Sequence, residues 1–261
     1  MMSRKMVWVI ALMVVLAAYA HGHQFDREQD FRVIESSNGV VVVDYLGRNA
    51  DVRIPPRIRG LPVVGIGEGA FEGRGLSSVL IPNGVTFIEK WAFSGNQLVS
   101  VIMGYRVAYI GYAAFYNNRL TSIAFPNSIE TIGDHAFNSN RLGSVSIPGG
   151  VTYVGLGAFA NNLLTSVAVA GNMVISINGL AFHNNRIVYL TIGDGIGSLN
   201  ESAFSGALRY VSLISIGRNV NLHSSEPSDV VWTGFRNAYH ANGHRPGVYT
   251  LRDGNWYFQP R

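Results

Sequence analysis

The side chains best suited to chemistry are scattered along the chain. His240 and His244 stand four residues apart, a spacing that puts two imidazoles on one helical face and suits a metal ion. Gly243 interrupts such a helix and Pro246 follows it, which fits a solvated loop better. His135, His183 and His223 fall on separate segments without a matching partner. Asp26, Glu28 and Asp30 form an acidic run, but Arg27 and Arg32 interleave with it, as on a solvated face. The glycines of GIGEGAF lie inside a repeating register, where they serve a turn and not a phosphate cradle. No nucleophile elbow, zinc signature or dinucleotide fingerprint is present. The expectation is a non-enzyme, with no catalytic residue, no cofactor and no metal ligand.

The bulk composition narrows the alternatives. In 261 residues, 48% are hydrophobic and 14% charged, which calls for a well-filled core. Cysteine is absent, so stability rests on packing and backbone pairing without disulfides. Arg4-Lys5, the apolar run from Val7 to Ala18 and the small-residue pattern Ala18-Tyr19-Ala20 read as a signal peptide over residues 1–20, with a mature chain starting near His21. Export to the periplasm, the cell surface or the medium is therefore expected. Removing Arg4 and Lys5 lowers the formal charge from +4 to +2, which does not advertise nucleic-acid binding. No later stretch approaches the ~20 apolar residues of a membrane span.

The elements that must position everything else come from a repeat. Ala-Phe recurs with Phe at 71, 93, 115, 137, 159, 182 and 204, at intervals of 22, 22, 22, 22, 23 and 22 residues. A period in the twenties signals a solenoid of stacked coils. Five residues after Phe stand Leu76, Leu98, Leu120, Leu142, Leu164 and Ile187; eight after stand Val79, Val101, Ile123, Val145, Val167 and Leu190; ten after stand Ile81, Met103, Phe125, Ile147, Val169 and Ile192. The last two columns differ by two, as inward positions of a strand do. Pro82, Pro126 and Pro148 close three such strands, since proline cannot donate to a ladder.

Upstream of Phe, Val63, Val85, Val107, Ile129, Val151, Val174 and Ile196 form one inward column. Ile66, Ile88, Ile110, Ile132, Val154, Ile177 and Leu199 form the next. Four residues before Phe, Gly67, Gly111, Gly133, Gly155, Asn178 and Asn200 are expected to turn the chain through left-handed backbone, with Glu89 the exception. Asn96, Asn118, Asn140, Asn162 and Asn185, three after Phe, are expected to satisfy backbone groups of neighbouring coils as a structural ladder.

The expected fold is a mainly β repeat solenoid with short turns or 3-10 segments, an arc of about seven coils roughly 35 Å long. Residues 61–222 form the solenoid, 21–60 an N-terminal cap and 223–261 a C-terminal cap. Asn38-Gly39 between apolar runs marks a hairpin in the first cap, and Asp253-Gly254 marks another in the second. HSSEPSDV is a polar loop, and WTGFRNAYHANGH is expected to form a short helix ending at Asn242-Gly243.

The segments IPNGVTFIEKWAF, FPNSIETIGDHAFNSNRL and IPGGVTYVGLGAFANN resemble the BspA-like class of bacterial leucine-rich repeats over about residues 61 to 222. The tail FRNAYHANGHRPGVYTLRDGNW is similar to the ending of treponemal leucine-rich repeat members. The resemblance implies an exported, non-enzymatic protein associated with attachment to host components, other bacteria or other proteins. Cysteine often follows the Ala-Phe turn in that class, whereas asparagine holds that neighbourhood here.

Function is then sought on repeating surfaces. The outward strand column nine after Phe reads Leu80, Ile102, Ala124, Ser146, Ala168 and Thr191, continued by Ser212 if the last coil is one residue shorter. Two residues earlier stand serines at 78, 100, 122, 144 and 166, then Tyr189, and Tyr210 if the last coil has a one-residue deletion. Phe87, Tyr109 and Tyr153 share a column, with Trp91, Tyr112 and Tyr116 nearby; they form a protein-binding surface, or lie beneath a cap or a second copy of the chain. Arg119, Arg141 and Arg186 form a row that either meets an acidic partner or solubilises the rim. The expected function is protein–protein interaction with a host or envelope component, with a self-associating periplasmic scaffold as the alternative.

Overall fold

The computed structural model describes residues 24–171, 176–223 and 230–260. The leader and its cleavage point, the core position Val174 and residues 224–229 of the polar loop lie outside the described residues.

The chain is a mostly β solenoid of about eight turns of roughly 22 residues. Each coil contributes a short strand before Ala-Phe, and most contribute a second strand after it. The upstream strands Leu61–Ile66, Phe87–Ile88, Tyr109–Ile110, Thr131–Ile132, Tyr153–Val154, Ser176–Ile177, Ser198–Asn200 and Leu222–His223 stack in parallel into one long sheet. Equivalent positions face each other, so the described members of the two upstream inward columns are buried Val, Ile and Leu side chains, whereas Val101, Met103 and Ile123 of the downstream columns are only partly buried.

The downstream strands form two separate sheets. Asp51–Arg53, Ser78–Leu80 and Ser100–Ile102 make one, and Ser144–Ile147, Ser166–Val169, Tyr189–Ile192 and Leu213–Ile216 carry the other. Residues 122–125 form no strand, so Pro126 does not close one. Phe125 in this segment places an aromatic ring in a column otherwise filled by Ile, Val and Met, and that ring lies edge-on to Phe137 and Phe159 at 5.5 and 6.2 Å.

The Ala-Phe pair pins each coil. All seven phenylalanines are buried, with centroids 4.9 to 5.6 Å apart and planes within 15° of parallel. The spacing follows from the ~4.8 Å strand separation, which brings like side chains into register. Tyr45 continues the stack at one end and Trp232 at the other, each at 5.4 Å.

The asparagine column is a buried ladder. Asn140 Oδ1 accepts the Leu120 N–H at 3.0 Å, while Nδ2 donates to the Phe115 and Phe137 carbonyls at 2.9 and 3.2 Å. Asn96, Asn118, Asn162 and Asn185 repeat the pattern. It ends at Asn185, because Ala207 holds the next position and the Ile187 N–H donates to the Ala207 carbonyl instead.

The glycines four residues before Phe do not supply left-handed backbone. Gly67, Gly111, Gly133 and Gly155 are absent from the positive-φ residues of the described chain; a Cβ on Gly111 or Gly133 would come within 2.7 or 2.8 Å of backbone atoms of the preceding coil. They permit close approach between coils. The left-handed residues stand two positions before and two positions after Phe. Before it stand Gly69, Trp91, Ala113, His135, Gly157 and Leu180; after it stand Gly73, Gly95, Asn117, Ser139, Asn161, Asn184 and Gly206.

Both ends are covered by irregular elements. Phe31–Ser36 and Gly39–Tyr45 pair antiparallel, and the second strand joins Leu61–Ile66 in parallel. The turn sits at residues 37–38, one place earlier than Asn38-Gly39, because Gly39 passes under Pro62 where a Cβ would clash with its carbonyl. At the other end Val230–Ala241 is a helix whose Trp232, Phe235 and Tyr239 are buried at i, i+3 and i+7. Gly243 terminates it with φ 65°. Gly247–Arg252 then pairs antiparallel with Leu213–Ile216 and with Asn255–Pro260, through a turn whose Asp253 and Gly254 both have positive φ.

Candidate functional site

The aromatic residues do assemble, on the turn rim and the adjoining outer face of the long sheet. Phe87 and Tyr109 are direct parallel neighbours, Thr131 follows, and Tyr153 follows Thr131. Phe87 is half-buried because its ring lies over Gly65, where a Cβ would overlap it. Tyr109 is 41% exposed.

At the rim, Trp91 meets Tyr112 edge-on at 5.7 Å, and Tyr112 meets His135 edge-on at 5.7 Å. Lys90 sits 5.2 Å from the Trp91 ring centroid while its ammonium pairs with Glu68 at 3.0 Å, which holds the indole from one side. Trp91 is 37% exposed with φ 57°, a conformation that costs a residue with a side chain about 1–2 kcal/mol. Exposed Leu156 and Leu180 prolong the rim over the next coils.

Tyr153 is tethered. Its hydroxyl donates to Asp134 Oδ1 at 2.9 Å, and the same oxygen accepts the Leu156 N–H at 2.9 Å. Partial burial, and then the Asp134 carboxylate, raise the Tyr153 pKa above the usual phenol range, so the ring is a neutral, fixed surface. Tyr116 is exposed one residue after Phe115.

The remaining candidates lie elsewhere. Leu80 and Ile102 are paired neighbours on the three-stranded sheet and are both half-buried. Tyr189 is exposed on the six-stranded sheet, where the register sets it opposite Leu213, not Tyr210. Likewise Ser215, not Ser212, faces Thr191. The last coil carries extra residues between Phe204 and its strand where a deletion was expected, and the outward column shifts accordingly. Arg119, Arg141 and Arg186 are exposed and make no ion pair among the described residues.

His135, Asp134, Leu156 and Leu180 are the members of the rim that sequence reading passed over. Their columns, three and two residues before Phe, vary too much in type to stand out, and only the left-handed turn brings them to one edge.

Chemistry-bearing groups do not converge. Among the described residues there is no group of three or more His, Cys, Asp or Glu placed to hold a metal ion. His240 Nδ1 and His244 Nε2 face each other within hydrogen-bond range beside Tyr239 at the end of the cap helix. His183 Nδ1 donates to the Ser205 carbonyl at 2.7 Å, a coil-to-coil tie. No helix among the described residues is long and apolar enough to cross a membrane.

Comparison with known proteins bears on the repeat and its fold. A family model for the BspA type leucine rich repeat region matches in six copies, over residues 64–186 and 164–225. No curated protein matches the chain. Among solved structures, a leucine rich cell surface protein from Faecalibacterium prausnitzii A2-165 is similar with a TM-score of 0.62 and 20% identity, over 90% of this chain. This chain spans 60% of that protein's length. A leucine-rich repeat protein from Bacteroides ovatus aligns at 17% identity and TM-score 0.48, covering 78% of this chain and 79% of that one. The T. pallidum leucine rich repeat protein aligns at 20% identity and TM-score 0.44, covering 76% and 86%.

Proposed function

The chain belongs to the BspA-type leucine-rich repeat family, and from that premise we propose an exported, non-catalytic protein-interaction module that holds a host or envelope protein against its aromatic rim. Repeat proteins of this kind are generally binding modules. The observation that carries the choice of surface is Trp91. Its large apolar side chain stands exposed, held between Lys90 and the edge-on Tyr112, and exposed contiguous apolar area of this kind marks interaction sites. Tyr112, Tyr109 and the ring of Phe87 extend the contact over two coils. Aromatics of this type dominate protein interfaces because they bury much area at little entropic cost. The leader pattern of residues 1–20 supports export.

The test has two parts. Protease digestion of the native protein on intact cells, against cells with an opened envelope, decides whether the rim meets the outside. Crosslinking on the same cells is then compared between parent, Trp91→Ser/Tyr112→Ser and Arg119→Ser/Arg141→Ser. A partner kept by the parent in high salt and lost by the rim variant supports the proposal; loss only in the arginine variant moves the contact to the guanidinium row. A homodimer dissolved by the rim substitutions would instead make this surface a self-association face.

A further inference from the structure

A second amide ladder runs along the surface and stops abruptly. Asn161 Nδ2 donates to Asn138 Oδ1 at 3.1 Å, and Asn184 Nδ2 donates to Asn161 Oδ1 at 2.9 Å. Gly206 holds the next place in the column of Asn161 and Asn184, so no side chain continues the series. Asn184 Oδ1 therefore accepts no hydrogen bond from the described residues. Its backbone N–H is open as well. The equivalent N–H of Asn117 donates to Asn138 O at 3.0 Å and that of Asn161 to His183 O at 2.9 Å, whereas the Ser205 carbonyl is taken by His183 Nδ1.

Asn184, which carries both groups, borders a cleft of about 400 Å³ that Arg186, Arg209 and Tyr210 also line. Tyr210 is 55% exposed, and neither guanidinium makes an ion pair among the described residues. We propose that this cleft binds an acidic sugar, a uronate- or sulfate-bearing unit of a glycan. A sugar hydroxyl both donates and accepts, which matches the paired open groups of Asn184. The exposed Tyr210 ring offers a flat apolar face for the C–H side of a pyranose, and the two arginines suit its anionic substituent in bidentate fashion. An extended acidic peptide fits less well, because neighbouring main-chain groups are spent: the Arg186 N–H donates to Leu164 O and the Ile187 N–H to Ala207 O, both at 3.0 Å. The cleft shares no residue with the aromatic rim, so it stands or falls independently of the protein-binding proposal.

Titration calorimetry tests it, with octasaccharides of hyaluronan and of chondroitin sulfate as probes and a polyglutamate peptide of matched charge as the control. The informative variant is Gly206→Asn, which extends the ladder over the open groups without altering charge, at a left-handed position that asparagine tolerates. Saturable binding of at least one sugar, weakened about tenfold or more by both Gly206→Asn and Tyr210→Ala with melting temperatures unchanged, is the expected result. Binding of hyaluronan would assign the carboxylate, and binding of chondroitin sulfate alone the sulfate. Absence of saturable sugar binding, binding untouched by either substitution, or equal affinity for polyglutamate would overturn the proposal.

Discussion

Replacing Asn140 separates the two halves of what the buried amide does. In Asn140→Ala the Leu120 N–H loses its acceptor, while the Phe115 and Phe137 carbonyls each retain another ladder amide, from Asn118 and Asn162. The cost is one orphaned buried donor, about 1–3 kcal/mol, plus roughly 1 kcal/mol for each of two lost donor bonds, so about 3–5 kcal/mol. Asn140→Asp keeps an acceptor for Leu120 but turns a carboxylate oxygen toward the two carbonyls that Nδ2 served at 2.9 and 3.2 Å. Burial and carbonyl repulsion both disfavour the charged form, so the folded-state pKa of the introduced acid rises above its unfolded value near ~4. A raised folded pKa means that stability is fully present below the unfolded pKa and is lost as pH rises through the folded one. The Asp variant should therefore lie near the parent at pH 4 and fall below the Ala variant at pH 7, measured by urea unfolding followed by circular dichroism. An Ala variant costing less than about 1 kcal/mol, or an Asp variant whose deficit does not change with pH, would refute the ladder's role.

Three further outcomes follow from the geometry. Phe137, held between Phe115 at 5.2 Å and Phe159 at 5.5 Å, should cost ~3–5 kcal/mol when replaced by alanine; a thermal melt matching the parent would contradict its burial. Trp91→Gly should be about 1 kcal/mol more stable than Trp91→Ala, since both remove the indole and only glycine accepts φ 57° freely; equal stabilities would remove the backbone argument. Tyr249 is buried, donates to the Arg245 carbonyl and has its pKa pushed up to about 12, chiefly by desolvation. Its contribution is intact below pH ~10 and lost as pH climbs toward 12, so alkaline unfolding should be shallower in Tyr249→Phe.

The repeating core was legible in the sequence because a position that faces inward in one coil faces inward in all, and only apolar types survive there. Phe137, Leu142, Val145 and Ile132 are buried for that reason. The backbone was less legible. Glycine reports either a left-handed turn or a close approach, and Gly111 and Gly133 were of the second kind. The true left-handed columns contain Trp91, Ala113, His135 and Leu180, whose types announce no turn; the order of hydrogen bonds from coil to coil imposes it. The last coil defeated alignment because extra residues before Leu213–Ile216 disturb a period that six earlier coils keep. Of the surface candidates, Trp91, Tyr109 and Tyr112 are exposed, and Trp91 meets Tyr112 across neighbouring coils. The place opposite Tyr189 goes to Leu213 and not to Tyr210, because of that local irregularity.

The break at residues 122–125 also has a mechanical meaning. With the long sheet unbroken on one side and its counterpart interrupted on the other, the solenoid is a notched beam. Bending that opens the notched side is opposed there without a strand ladder, by the edge-on packing of Phe125 and by flanking backbone bonds such as Gly143 N–H to Thr121 O at 3.2 Å, while the opposite sheet serves as the hinge leaf. Curvature imposed by a bound partner or by tension therefore collects at this coil, and the repeats before and after it swing as two stiff arms.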